Sequence, residues 1–257
     1  MNFSYGEHIP IFISVHDKVE QLKISINSYE KNIKSPIKIV LFDHNTSYKP
    51  CLDYLDSVKD KYKIYVHRDK KFLKYGDEIR KSRNQNIIKA IKDYIKNNPN
   101  INYICVTDTD IELLENTEDI FEKYVEYYKT YKDINQIISA GIQINDIDKN
   151  YKFYDRVMRS ELPHWENKVD IKLNSGTLKC FKTATDTTFK LYHKSWFDSN
   201  PNTLFTHNSL RTDYPYVVKH LDWYITKNNI TPDLKHYSKT SRNSHYMGKS
   251  FFTSWNI

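Results

Sequence analysis

Apolar residues in the first half of the chain alternate between short β-branched runs and helical spacing. Ile9-Pro10-Ile11-Phe12-Ile13-Ser14-Val15 reads as a buried strand that stops at His16-Asp17. Val19 to Asn32 then carries Leu22, Ile26 and Tyr29 at the three- and four-residue spacing of one helix face. Ile37 to Phe42 is a second strand, ending in the polar cluster Asp43-His44-Asn45-Thr46-Ser47. A short helix over Leu52 to Lys59, a strand over Tyr62 to His67 and a longer helix over Ile79 to Asn97 follow, the last with Ile87, Ile88, Ile91 and Ile95 inward. Asn97-Asn98-Pro99-Asn100 closes that helix, and Ile101 to Val106 is the fourth strand.

This strand-helix alternation predicts an α/β fold with a mostly parallel sheet flanked by helices. In such sheets ligands lie at the carboxyl ends of the strands, where His16, Asp43 and Asp108-Thr109-Asp110 fall. A helix over Ile120 to Tyr131 leads into shorter strands within Gln136 to Ile144, Leu173 to Phe181 and Phe189 to Tyr192. The polar segment Arg156 to Lys168 is expected as a mobile loop over the site. No repeat, low-complexity tract or linker divides the chain, so 1–257 reads as one domain.

Tyr103-Ile104-Cys105-Val106 runs directly into Thr107-Asp108-Thr109-Asp110. Continued as a strand, this segment would place Asp108 and Asp110 on one face, where their charges repel and a hard divalent cation would relieve the repulsion. Two solvated aspartates at a strand end are the simpler reading, and the tripeptide alone does not decide between them.

Charge and composition narrow the partners. The 257 residues hold 39 Lys and Arg against 32 Asp and Glu, a formal +7, which suits nucleotides, nucleic acid or peripheral contact with a phospholipid surface. The lysines are dispersed, however, whereas a nucleic-acid-binding module concentrates basic and aromatic residues on one element. Here the concentrated feature is acidic. Hydrophobic residues make up 39% of the chain, with 21 Tyr and 12 Phe, enough for a core despite a mean hydropathy of -0.72. Cys51, Cys105 and Cys180 are scattered, without a C-x-x-C pair, which indicates neither a disulfide framework nor a thiolate metal site. With no basic stretch before the first apolar run and no 18-residue apolar segment, the chain reads as a soluble cytoplasmic protein, in the host cytoplasm if viral.

FISVHD at the first strand, FDHNTS at the second, RKSRNQN in the helix and VTDTDIEL at the acidic strand occur in the order found in glycosyltransferases of the GT-A fold. Over roughly the first half of the chain, the sequence resembles their family-2-like nucleotide-sugar transferases, including those of viral and bacterial glycan assembly. TDTTFKLYHK (Thr185 to Lys194) and LRTDYPYVVKHLDWYI (Leu210 to Ile225) extend the likeness to a subset of these enzymes. The resemblance implies transfer of a sugar from a nucleoside-diphosphate sugar, a UDP-sugar favoured, to a hydroxyl of a glycan, lipid-linked or protein acceptor. It implies a divalent metal, Mn2+ ahead of Mg2+. Residues 1–135 would form the nucleotide-sugar half, and 136–257 the acceptor half with a C-terminal closing segment.

On this resemblance Asp110 contacts the cation and Asp108 the cation or the donor ribose. Asp43 lies near the base, and Arg80 or Arg83 near the ribose or diphosphate. Val15, His16 and Thr109 complete the expected donor contacts. His220 is the expected third metal ligand, with His207 as its competitor and packing beside Trp223 and Tyr224 as the alternative. The family's usual Glu-Asp pair, which carries the base, has no clear counterpart, so Asp186 and Asp222 are the candidates, Asp186 otherwise serving as a turn cap. His164 and Trp165 are the expected acceptor contacts, although a tryptophan is more often a core residue. A sugar- or nucleotide-binding protein of the same fold without turnover is the remaining alternative.

Overall fold

Period-two alternation along the first strands decides what each face of the sheet covers. In the computed structural model, which describes residues 2, 4–68, 76–185 and 188–240 (76–81 as backbone), β1 (Ile9–Val15) sends Ile9, Ile11, Ile13 and Val15 into one core and Phe12 into another. β2 (Ile37–His44) does the same with Ile39 and Leu41 against Val40 and Phe42, and β4 (Tyr103–Asp108) with Tyr103 and Cys105 against Ile104 and Val106. The first core takes Leu22, Ile26 and Tyr29 of α1 (Val19–Asn32), Cys51 and Leu55 of α2 (Lys49–Ser57) and the aromatic face of α4 (Ile120–Tyr131). The second takes Ile87, Ile88, Ile91 and Tyr94 of α3 (Gly76–Asn97) and Trp196 and Phe197 of α6 (Trp196–Ser199). Burial on both faces explains why these strands are near-continuous apolar runs.

With β3 (Lys63–His67), the strands β3-β2-β1-β4 form a parallel unit in that spatial order. Its register sets Val15 beside Asp43 and Ser14 beside Asp108, bringing the carboxyl ends level. β9 (Lys190–His193) then joins β4 antiparallel, and β6 (Ile137–Ile142) pairs with β10 (Ser209–His220) in parallel. β10 is a central strand, flanked by β6 and by β8 (Gly176–Lys182), and its last residues pair with the short β5 (Ile111–Leu113). No described helix is long and apolar enough to cross a membrane.

Three expectations shift. The strand expected at 101–106 runs to Asp108 and is followed by a turn, so Asp108 and Asp110 do not continue one extended segment. The stretch 173–181 is a hairpin, β7 (Lys168–Leu173) to β8, because Asn174-Ser175 form a turn and Gly176 follows at a φ of 124°, which favours glycine. The polar segment expected as a loop is helix α5 (Tyr154–Glu161) and a 3-10 turn, Leu162–Trp165. Val157 anchors that helix in the core, and Arg211 donates to Glu161 at 2.6 Å in a buried ion pair.

Candidate metal and donor site

The site grows from the carboxyl ends of β1 and β4, from the end of β10 and from the 3-10 turn Leu221–Tyr224 that follows it. Asp110 sits in the turn between β4 and β5. Its carbonyl accepts from the Leu221 N–H at 2.7 Å, which locks the two turns together. From behind, α1 holds the same turn: Ser25 Oγ donates to the Thr109 carbonyl at 2.7 Å and Tyr29 Oη to that of Ile111 at 2.7 Å. The Asp110 carboxylate is thereby fixed in a buried position.

Around it stand His220 and Asp222, with one potential ligand atom from each of the three residues within 4.8 Å of the others. His220 stacks flat on Trp223, centroids 4.7 Å apart, which fixes the ring plane. Its Nδ1 is buried without a hydrogen-bond partner and lies 3.9 Å from Asp110 Oδ2. Two carboxylates and an imidazole aimed at one point form a donor set for a divalent cation, and the unpartnered Nδ1 fits that use. Packing and ligation are thus compatible for His220, since one ring face stacks while an edge nitrogen faces Asp110.

Lys18 is the unexpected member. It follows β1 as the residue capping α1, makes no side-chain cap there, and extends its ammonium to Asp110 Oδ2 at 2.8 Å and Asp222 Oδ2 at 2.6 Å. Tyr237 of α7 (Pro232–Thr240) places its ring 4.7 Å from the same nitrogen. Burial disfavours the charged ammonium, yet Asp110 and Asp222 outweigh it and raise the Lys18 pKa well above the usual lysine value. Burial likewise acts to raise the Asp110 carboxyl, and Lys18 with His220 overrides it, leaving that group well below the usual carboxylate range.

Asp17, also unanticipated, organises the neighbouring loop. At a φ of 60°, its buried carboxylate accepts from the Ser47 and Tyr48 N–H groups at 2.6 and 2.8 Å and from Thr240 Oγ1 at 3.2 Å, joining β1, the start of α2 and α7. Asp233 of α7 accepts from the Glu20 N–H at 2.9 Å, supplying the cap that α1 lacks.

The remaining expected residues divide among several places. Asp108 faces the α3 side, with Arg83 Nη1 3.8 Å from its carboxylate; both line a small cleft with Ser14 and Asn84. It is therefore turned away from Asp110. Asp43 is buried, ion-paired with Arg68, and accepts from the Thr46 N–H at 3.2 Å. His16 donates from Nδ1 to the His44 carbonyl at 2.7 Å, and Val15 is wholly buried. Both Asp222 oxygens are engaged, Oδ1 by Gln21 at 2.9 Å and Oδ2 by Lys18, which suits an anchor or ligand better than a base open to an acceptor. His164 pairs with Thr183 at 2.6 Å, and Trp165 packs on Phe181 and Tyr214; neither belongs to the three-residue cluster. His207 is exposed ahead of β10, at the opposite end of that strand from His220. Asp186 and the Arg80 side chain lie outside the described residues.

No protein-family model and no curated protein matches the sequence. The fold, by contrast, is similar to that of solved glycosyltransferases. A structure of GalNAc-T7 with UDP, GalNAc and Mn2+ superposes at a TM-score of 0.50 and 14% identity, over 93% of this chain and 48% of that one. TarS 1-349 of S. aureus is similar at 0.49 and 8% over 93% of this chain and 66% of that one. The mannosyltransferase PcManGT of Pyrobaculum calidifontis, in complex with GDP-Man and Mn2+, gives 0.49 and 8% over 95% and 67%. The chain therefore spans about half the length of the GalNAc-T7 structure and shares its GT-A fold.

Proposed function

We propose that the chain is a metal-dependent glycosyltransferase that moves a sugar from a nucleoside-diphosphate sugar to a hydroxyl acceptor. The observation that carries this reading is the convergence of Asp110, His220 and Asp222 at the carboxyl ends of the strands, with the buried Nδ1 of His220 unpartnered. GalNAc-T7, whose fold this chain shares, was solved with UDP and Mn2+, and a mixed oxygen and nitrogen donor set favours Mn2+ over Mg2+. Bound there, the ion would supply positive charge against the leaving diphosphate.

The chain's own residues supply the rest. Asp110 and Asp222 hold the charge, and the stacked His220 presents Nδ1 at a fixed angle. Arg83 and Asp108 form the donor's ribose and diphosphate side, and Asp43 with His16 lies toward the base. In this assignment residues 1–135 carry the donor half and 136–257 the acceptor half, with Asp186 as the base and Trp165 and His164 on the acceptor side. A UDP-sugar is the favoured donor.

A panel of UDP-, GDP-, CMP- and dTDP-sugars, each with Mn2+ and with chelator, tests the reading by donor hydrolysis. Release of nucleotide from one donor, dependent on Mn2+ and abolished in Asp110→Asn, is expected. Equal turnover in chelator would refute metal dependence, and binding without turnover of any donor would leave a sugar-nucleotide binder.

A further inference from the structure

The cation site contains a cation of its own. Lys18 Nζ bonds the two oxygens, Asp110 Oδ2 and Asp222 Oδ2, that an ion held by these residues would draw on. Its side chain is only 6% exposed and is enclosed by the β4–β5 turn, the 3-10 turn and Tyr237. The ammonium leaves two things unresolved. Two carboxylates and one lysine still carry a net negative charge, and His220 Nδ1, beside Asp110 Oδ2, finds no partner in this arrangement. A divalent ion would answer both, yet it cannot share those oxygens with an ammonium at hydrogen-bond distance without strong repulsion.

We propose that Lys18 is a tethered competitor of the divalent ion: its ammonium fills the Asp110–Asp222 pair in the metal-free protein, ion binding displaces it, and the donor diphosphate then takes it as a counter-charge. The proposal rests on the metal-dependent reading above. It follows from charge: with the ion on Asp110 and Asp222 those carboxylates are neutralised, and a displaced ammonium leaves the cleft one positive charge in excess, ready for an anionic donor. The four-carbon stem of lysine allows such a swing, and the capping position imposes no other bond on its side chain. Metal-free protein would then have a stable closed site instead of a bare acidic pair, and metal and nucleotide would bind cooperatively.

Two readouts in opposite directions test this. Mn2+ binding, followed by the loss of the free-ion electron paramagnetic resonance signal, should be at least about tenfold tighter in Lys18→Met than in wild type, since the competitor is gone. UDP binding in saturating Mn2+ should be about tenfold weaker in the same variant, since the counter-charge is gone too. A packing role alone would weaken both. In wild type, without any substitution, reductive methylation of Lys18 read by mass spectrometry should rise several-fold on adding Mn2+ and fall again with UDP. Wild type that binds Mn2+ while Lys18→Met binds it no more tightly, or methylation of Lys18 that Mn2+ does not raise, overturns the proposal alone. If neither wild type nor Lys18→Met binds Mn2+, the metal-dependent reading falls and the proposal with it.

Discussion

Asp17 shows how a single buried group holds the loops beside the cleft, and His44 how burial sets a pH response. Asp17 takes two backbone N–H groups that have no other acceptor, so Asp17→Ala should cost about 3 kcal/mol, a fall in Tm of roughly 6–12 °C. Asp17→Asn can still accept both bonds and tolerates the left-handed backbone, so it should cost less than about 1.5 kcal/mol. Thermal denaturation of the two variants checks the order, and equal losses would contradict it. Burial first, then neighbouring His16 and Arg83, push the His44 imidazole down to about 3. Below its ordinary value near 6.5 the unfolded chain takes up a proton that the folded one refuses, so stability is full above that pH and declines as pH falls from about 6.5 toward about 3. The acid-side slope of Tm against pH should flatten in His44→Gln, and an unchanged slope would assign the loss to other groups. Neither role was legible in the sequence. Asp17 was visible only as a strand end, and its partners Ser47, just ahead of α2, and Thr240, at the end of α7, are 30 and 223 positions away.

At the scale of elements, α1 shows where periodicity under-reads a helix. Leu22, Ile26 and Tyr29 marked its inner face correctly, yet Ser25, Ser28 and Asn32 are buried there too, spending their polar groups on the β4–β5 turn and β5. A polar residue in a helix looks solvent-facing in sequence until its partner strand is known. Ser28 Oγ accepts from the Leu113 N–H at 3.0 Å, and Tyr29 Oη donates to the Ile111 carbonyl. Tyr29→Phe should therefore cost about 1 kcal/mol and speed hydrogen exchange of the Ile111–Leu113 amides, measurable by mass spectrometry. Exchange at β5 unchanged from wild type would mean that α1 does not hold the turn. The same logic explains the acidic motif: its strand was legible, but the turn at Thr109-Asp110 sends one carboxylate toward α3 and the other toward α1.

For the whole molecule, the parallel unit β3-β2-β1-β4 followed from apolar runs alternating with helical spacing, because local pattern determines it. The order of the second half did not follow, since β9, β6 and β10 intercalate through pairings that no local pattern encodes, Tyr103 with His193 and His220 with Ile111 among them. The cleft depends on that intercalation, for it carries His220 and Asp222 to the turn that holds Asp110. On the reading proposed here, Asp110, His220 and Asp222 form one divalent-cation site. Titration of Mn2+ into wild type and His220→Ala, read by electron paramagnetic resonance, tests it most directly. One ion per chain in wild type, with affinity at least about tenfold weaker in a variant that still unfolds cooperatively without metal, is the predicted result. A His220→Ala protein that binds Mn2+ as wild type does would mean that His220 is no ligand and that the three residues do not form one site.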